Sequence, residues 1–294
     1  MGGQIERAIE KAIGEATGES FELVHSSGIG GGCIHDATCA SGADGRQFFV
    51  KRNELSLLPC FEAEAHALRV IRATRTIRVP EPVAICRAGG QAALILEFLP
   101  MGGGGRADWF AMGEQFARMH RATAERFGWP HDNWIGSAPQ KNTEMNDWIR
   151  FYTECRLRPQ VEWARRKGLR IEKAEALEAA LPRFFEDYTP VPSLLHGDLW
   201  AGNADFMNDG TPVIFDPASY YGDREADLAM TEMFGGFTRG FYKGYASEWP
   251  LHEGYRTRKQ LYLLYHTLNH YNLFGGGYGS SAESLVAGLL DSLA

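Results

Sequence analysis

The sequence predicts an α+β protein of two lobes, a small antiparallel β-rich one followed by a larger, mainly helical one. Three observations predict it. The first hundred residues break into short apolar runs separated by glycine turns, as antiparallel strands do. Beyond residue 108, long stretches carry their apolar residues at helical spacing instead. Between the two lies "MGGGGRAD", Met101 to Asp108, a glycine-rich joint of the kind that links separately packed bodies. The expected domains are therefore residues 1–99 and 100–294.

Each element follows from its local pattern. "MGGQIERAIEKAIGEATG" predicts a short amphipathic helix with Ile5, Ala8, Ile9, Ala12 and Ile13 on one face. "SFELVHSSGIGGGCIHDATCASGADGRQFFVKRN" predicts three strands joined by two glycine turns. "LPCFEAEAHALRVIRA" predicts a helix whose stripe is Phe61, Ala65, Leu68 and Ile71, with Glu64 beside it. "VPEPVAICRAGGQAALILEFLP" supplies two further strands flanking the Gly89-Gly90 turn. After the joint, helices are expected in "WFAMGEQFARMHRAT", "MNDWIRFYTECRLRPQVEWARRKG", "EKAEALEAALPRFFEDY" and "RKQLYLLYHTLNHYNLF". The chain contains no repeats.

The bulk properties exclude several classes. With 294 residues, 44% hydrophobic and 23% charged, the chain has the composition of an ordinary soluble globular protein. Its net charge of −7 offers no basic footprint for nucleic acid or an anionic membrane surface. No apolar run is long enough to span a bilayer, and the N-terminus lacks a basic segment followed by an apolar one. The expected location is the cytoplasm. The five cysteines are scattered without a C-x-x-C pair, which argues against a disulfide framework or a structural zinc site.

Chemistry concentrates in "LLHGDLWAGNADFMNDGTPVIFDP", Leu194 to Pro217. "NADFM" and "TPVIF" have strand character, and the Asp209-Gly210 pair between them predicts a two-residue hairpin turn. Counting outward from that tip sets Asn203 opposite Asp216, and opposed residues lie roughly 4.5 to 5.5 Å apart at Cα. An amide oxygen and a carboxylate meeting there are hard-oxygen ligands suited to Mg²⁺, which takes few protein ligands and leaves room for phosphate oxygens. Asp198, five residues before Asn203, is placed to accept a proton from a hydroxyl that attacks phosphorus. The spacing Asp-x-x-x-x-Asn equals that of a kinase catalytic loop, with a second metal-binding aspartate downstream. Upstream, Lys51 ends the apolar strand "QFFVK", where a kinase holds the phosphates of its nucleotide, and Glu64 is its expected ion-pair partner. The turn "SSGIGGGCI" contributes Gly30, Gly31 and Gly32, whose backbone N–H groups can approach phosphates closely.

Through "HGDLWAGN", "IFDPASYYGDREADLAM", "FFVKRN", "FEAEAHALRVI" and "LLYHTLNHYNLFGG", the chain resembles the fructosamine kinase (ketosamine 3-kinase) family over nearly its whole length. That family is related to the aminoglycoside and choline phosphotransferases. The resemblance implies a bilobal protein-kinase-like fold with an N-terminal nucleotide-binding lobe and a C-terminal catalytic and substrate lobe. It implies Asp198 as catalytic base, Asn203 and Asp216 as Mg²⁺ ligands, and Lys51 with Glu64 at the phosphates of ATP. It also implies that the linker Glu97, Phe98 and Leu99 presents backbone groups to adenine. The expected reaction moves the γ-phosphoryl of ATP to the C3 hydroxyl of a fructosamine or ribulosamine, free or on glycated lysine, in repair or salvage. Trp200 is a candidate for stacking on the sugar. Cys33, inside the glycine turn, is a candidate redox switch of the kind some family members carry.

Departures from the protein-kinase pattern narrow the reading. The turn is G-I-G-G-G-C, Trp200 stands where protein kinases commonly have lysine, and there is no A-P-E motif. Two alternatives stay open, an aminoglycoside or choline-type phosphotransferase and a catalytically silent ATP-binding module. The sequence leaves monomer and homodimer equally open.

Overall fold

The computed structural model describes residues 2–30, 36–102, 105 and 107–293. The chain divides into two compact units. One comprises residues 1–108 with 202–217, and the other comprises 109–201 with 218–294. This differs from the expected boundary at residue 99. The segment Gly202–Pro217, expected with the helical part, packs with the first unit.

The first unit is built on a five-stranded antiparallel sheet. Its strands are β1 (Leu23–Gly28), β2 (Asp36–Gly42), β3 (Gln47–Glu54), β4 (Pro82–Ala88) and β5 (Gln91–Glu97), in the order β1-β2-β3-β5-β4. The amphipathic N-terminal helix α1 (Gly2–Thr17) buries Ile5, Ile9 and Ile13 against Phe48, Val50, Ala93 and Ile95. Alternation along β3 then sends Lys51 to the opposite face of the sheet from Val50. The second helix, α2 (Leu58–Thr74), starts on a proline and buries Phe61, Ala65, Leu68 and Ile71 against the β4–β5 half of the sheet. That stripe is the one expected, and it leaves Glu64 at its edge.

The hairpin of β9 (Ala204–Phe206) and β10 (Pro212–Ile214) belongs to this unit because its backbone is tied there at both edges. The Ile214 N–H donates to the Arg78 carbonyl at 3.0 Å, Asn208 N–H to Pro100 at 3.1 Å, and Gly102 N–H to Phe206 at 3.2 Å. Its turn is not the two-residue one expected. Gly210 N–H donates to the Met207 carbonyl at 2.8 Å, and Met207 N–H donates to Thr211 at 2.9 Å. Gly210 takes φ +90°. This is a three-residue loop closed by a left-handed glycine, the next commonest hairpin connection after the two-residue ones. The register therefore slips by one. Ala204 pairs with Ile214, and Asn203 accepts from the Phe215 N–H at 3.0 Å instead of facing Asp216.

The second unit is mainly helical, and its helices include α4 (Trp148–Tyr152), α5 (Arg158–Arg166) and α6 (Ala174–Ala180). Two of its helices, α3 (Trp109–His120) and α8 (Arg239–Glu248), approach so closely that they need glycine at the crossing. A Cβ on Gly113 would lie 2.0 Å from the Phe241 carbonyl oxygen, and one on Gly244 2.0 Å from that of Phe110. Around them lie α7 (Arg224–Met233), α9 (Tyr255–Phe274) and α10 (Tyr278–Asp291), with α7 and α10 each packed on α9. Short antiparallel pairs complete the unit. They are β6 (Asn133–Ile135) with β7 (Ala138–Gln140), and β8 (Ser193–Leu194) with β11 (Tyr221–Gly222). The last pair brackets the segment that carries Asp198. No helix among the described residues is long and apolar enough to cross a membrane.

Candidate active site

In the first unit, the residues singled out upstream converge on one cation. Lys51 is 4% exposed, and its Nζ donates to Glu64 Oε1 at 2.7 Å and to Asp216 Oδ1 at 2.6 Å. Burial works against the ammonium charge, but the Asp216 and Glu64 carboxylates outweigh it and hold the Lys51 pKa above its ordinary value. Burial pushes the Glu64 carboxyl upward, and the Lys51 charge counters that shift. Lys51 is thus a fixed, desolvated positive charge rather than the solvated strand-end lysine common on protein surfaces.

The Asp216 backbone is the unusual part. It lies just past β10 with φ +58°, a left-handed conformation that aspartate adopts more readily than most residues. A one-residue register slip would send an extended residue 216 to the other face. The left-handed turn re-aims it, and its carboxylate reaches Lys51 while remaining 44% exposed. Asn203 is 7% exposed at the start of the hairpin.

These two residues pass a chemical test for a magnesium ion. They supply one amide oxygen and one half-exposed carboxylate, of which one oxygen meets Lys51, and a carboxylate has acceptor positions to spare. Among the described residues there is no cluster of three His, Cys, Asp or Glu side chains able to hold a metal. Mg²⁺ needs none, since it is bound through one or two protein oxygens plus water and phosphate.

In the second unit, Asp198 is presented by a loop whose backbone is held from below. Gly197 takes φ +86°, and a Cβ there would fall 2.1 Å from the Ala218 carbonyl oxygen, so only glycine fits. The chain on either side is pinned to the strand beside it. Leu195 N–H donates to Tyr220 at 3.0 Å, and Ala218 N–H to His196 at 2.8 Å. Asp227 on α7 then accepts from His196 N–H at 2.6 Å and Gly197 N–H at 2.8 Å. Its Oδ2 also meets His120 Nε2 at 3.1 Å, and His120 Nδ1 meets the Tyr245 hydroxyl at 2.8 Å. Burial opposes the Asp227 charge, yet the bond from His120 and the loop N–H groups keep its pKa below the usual range. Burial also lowers the His120 pKa, so an ionised Asp227 is braced by a neutral imidazole. The His196 ring accepts from Asp198 N–H through Nδ1 at 3.3 Å, which makes it an anchor of the loop.

The remaining candidates are placed as follows. Gly30 is an exposed turn residue; a Cβ there would meet nothing within 4 Å. Gly31, Gly32 and Cys33 lie outside the described residues. The Glu97 N–H donates to the Glu81 carbonyl at 2.8 Å and its side chain pairs with Arg78. Leu99 is buried at 5% exposure and Phe98 is half-buried. Trp200 is 37% exposed and meets Phe234 edge to face at 6.0 Å.

Sequence reasoning missed His120 and Arg156. Arg156 sits in a π-helical turn (Thr153–Leu157), fully buried, 3.9 Å over the Tyr220 ring and bonded to Asn142 Oδ1 at 2.8 Å. Neither residue has a local signal, because each acts on a segment about a hundred or about sixty residues away. Asp223, Arg224, Glu225 and Asp227, within the string "YGDREADLAM", are all buried.

A lysine clamped by two carboxylates on a five-stranded sheet, with a loop aspartate in a helical unit, defines a phosphotransferase of protein-kinase-like fold. The same fold occurs in an amicoumacin kinase, with a TM-score of 0.59 at 13% identity over 92% of this chain and 90% of that one. The family model for fructosamine kinase matches residues 5–292. A probable ketoamine kinase of Synechocystis is 43% identical over 95% of both chains. The chloroplastic protein-ribulosamine 3-kinase of Arabidopsis thaliana is 43% identical over 92% of this chain and 83% of its own. The crystal structure of an inferred fructosamine-3-kinase of Haemophilus somnus superposes with a TM-score of 0.89 at 29% identity, covering 97% of each chain. The chain belongs to the fructosamine kinase family and, with it, to the ATP-dependent phosphotransferases.

Proposed function

We propose that this enzyme phosphorylates the C3 hydroxyl of ketosamines, fructosamines or ribulosamines on free amines or on glycated lysine, in the cytoplasm. The observation that carries the phosphoryl-transfer part is the buried Lys51 bridging Glu64 and Asp216. A positive charge desolvated this way is available to phosphate oxygens without reorganisation. The ketosamine part rests on the match to relatives named for ketoamine and ribulosamine substrates.

The groups in place support one role for each residue. Asp198 takes the proton of the attacking hydroxyl, on a loop fixed by Gly197 and Asp227. Lys51 holds phosphate oxygens, and Glu64 holds Lys51. Asn203 and Asp216 would hold Mg²⁺, which when bound neutralises charge on the transferring phosphates. The Glu97 carbonyl and the Leu99 N–H would pair with adenine, and Trp200 with the sugar. Gly30, Gly31 and Gly32 would face the phosphates.

The test is Asp198→Asn assayed with ATP, Mg²⁺ and a ribulosamine. Turnover is expected to fall about a hundredfold or more, the usual scale for a general base, with nucleotide affinity kept. Turnover equal to the parent would refute the base assignment. Nucleotide binding by the parent without transfer to any ketosamine, but with transfer to an aminoglycoside or choline, would redirect the substrate assignment.

A further inference from the structure

The second unit carries a file of aromatic rings that these roles leave largely unused. It begins at Trp200, two residues after Asp198, whose ring centroid lies 6.0 Å from that of Phe234. Phe234 meets His270 on α9 at 5.1 Å. His270 meets Phe274, at the end of the same helix, at 5.7 Å. Rings packed for stability are normally covered, but Trp200, Phe234 and Phe274 are 37%, 44% and 68% exposed. A continuous exposed apolar strip on a folded protein marks a contact surface.

Two features tie the strip to the catalytic loop and set its chemistry. Just beyond Phe234, Gly236 takes φ +98°, and a Cβ there would lie 2.4 Å from Ala201 Cβ. The Phe234 segment is therefore held against the residue that follows Trp200. His270 donates Nδ1–H to the His266 carbonyl at 2.8 Å, and burial lowers its pKa, so the ring is neutral at pH 7. The file thus presents aromatic surface and no cation of its own. Such a surface suits an alkyl chain and an ammonium group rather than an anion.

We propose that Phe234, His270 and Phe274, the part of the file leading away from Trp200 at the sugar, receive the amine-side arm of the acceptor, its alkyl chain and ammonium. This rests on the ketosamine reading and deepens it. A protonated secondary amine continuing into a lysine stem matches ring faces in succession. An adduct of a short amine stops short of them. The enzyme is therefore selective for long alkyl arms, as glycated lysine provides.

The experiment compares 1-deoxyfructosyl and 1-deoxyribulosyl adducts of methylamine and of Nα-acetyl-lysine methylamide as acceptors, in the parent and in Phe234→Leu and Phe274→Ala. Phe274 is so exposed that its truncation leaves folding intact, and Phe234→Leu keeps apolar bulk while removing the ring face. The parent is expected to prefer the lysine adduct in kcat/KM. Each variant is expected to reduce that preference by about two- to fivefold through a higher KM for the lysine adduct. A preference unchanged in both variants, or equal losses on both adducts, overturns the arm site and leaves the kinase reading standing. Absence of transfer from the parent to any of the fructosyl or ribulosyl adducts overturns both.

Discussion

Replacing Lys51 with methionine tests the centre of the site through stability as well as rate. The substitution keeps the strand and most of the side-chain volume but removes the cation held 2.7 Å from Glu64 and 2.6 Å from Asp216. Breaking a fully buried pair typically costs about 3–5 kcal/mol. The cost here is smaller, because Asp216 is 44% exposed and is resolvated. Glu64, with a side chain 12% exposed, has less access to water and escapes by taking a proton. The expected loss is about 2–4 kcal/mol at pH 8. In the variant, the folded Glu64 pKa lies above its unfolded value. Its contribution is then fully present below the ordinary carboxylate range and is lost as pH rises through the folded value. The deficit against the parent should therefore shrink between pH 8 and pH 5.5. In the parent, Lys51 itself contributes no slope over that interval, because its raised pKa shifts the loss above the ordinary lysine range. Urea titrations at the two pH values measure the stability, and ADP release measures the rate. Adding Glu64→Gln should restore most of the stability at pH 8 but not the turnover. A K51M variant as stable as the parent at pH 8, or no recovery in the double variant, would refute the reasoning.

Two further perturbations bear on the second unit. Gly197→Ala forces a side chain into φ +86° and to within 2.1 Å of a backbone oxygen, so a loss of about 3–5 kcal/mol is expected in urea unfolding; a loss below about 1 kcal/mol would show that the loop relaxes freely. His266 is 4% exposed, its Nδ1 has no hydrogen-bond partner among the described residues, and burial lowers its pKa to about 3. An imidazole whose folded pKa is depressed contributes stability above its unfolded pKa of 6.5 and loses it as pH falls toward 3. Between those values the unfolding free energy should drop by about 1.4 kcal/mol per pH unit from this residue alone. His266→Asn should flatten that slope in urea titrations, and an unchanged slope would assign the acid sensitivity elsewhere, with His120 the first residue to examine.

Much of the first unit was legible because its signals are local. Strand alternation in "QFFVK" and the helical stripe from Phe61 to Ile71 each specify one buried face. Once both are buried, Lys51 and Glu64 have to meet on the side of the sheet opposite α1. The spacing from Asn203 to Asp216 likewise singled out, without coordinates, the two polar residues that flank the hairpin strands.

Register and domain membership were decided only by tertiary structure. Asp209-Gly210 is compatible with a two-residue turn and with a three-residue loop, and residues adjacent in sequence do not choose between them. The choice follows from backbone bonds to Arg78 and Pro100, more than a hundred residues away, which also bring Gly202–Pro217 into the first unit. The resulting slip would have turned Asp216 away, and its left-handed backbone corrects the aim. His120 and Arg156 were invisible for the same reason. Composition and periodicity determine which face of an element is buried, because that preference belongs to the element itself. Which polar group meets which depends on distant segments arriving together, and only the folded chain brings them there.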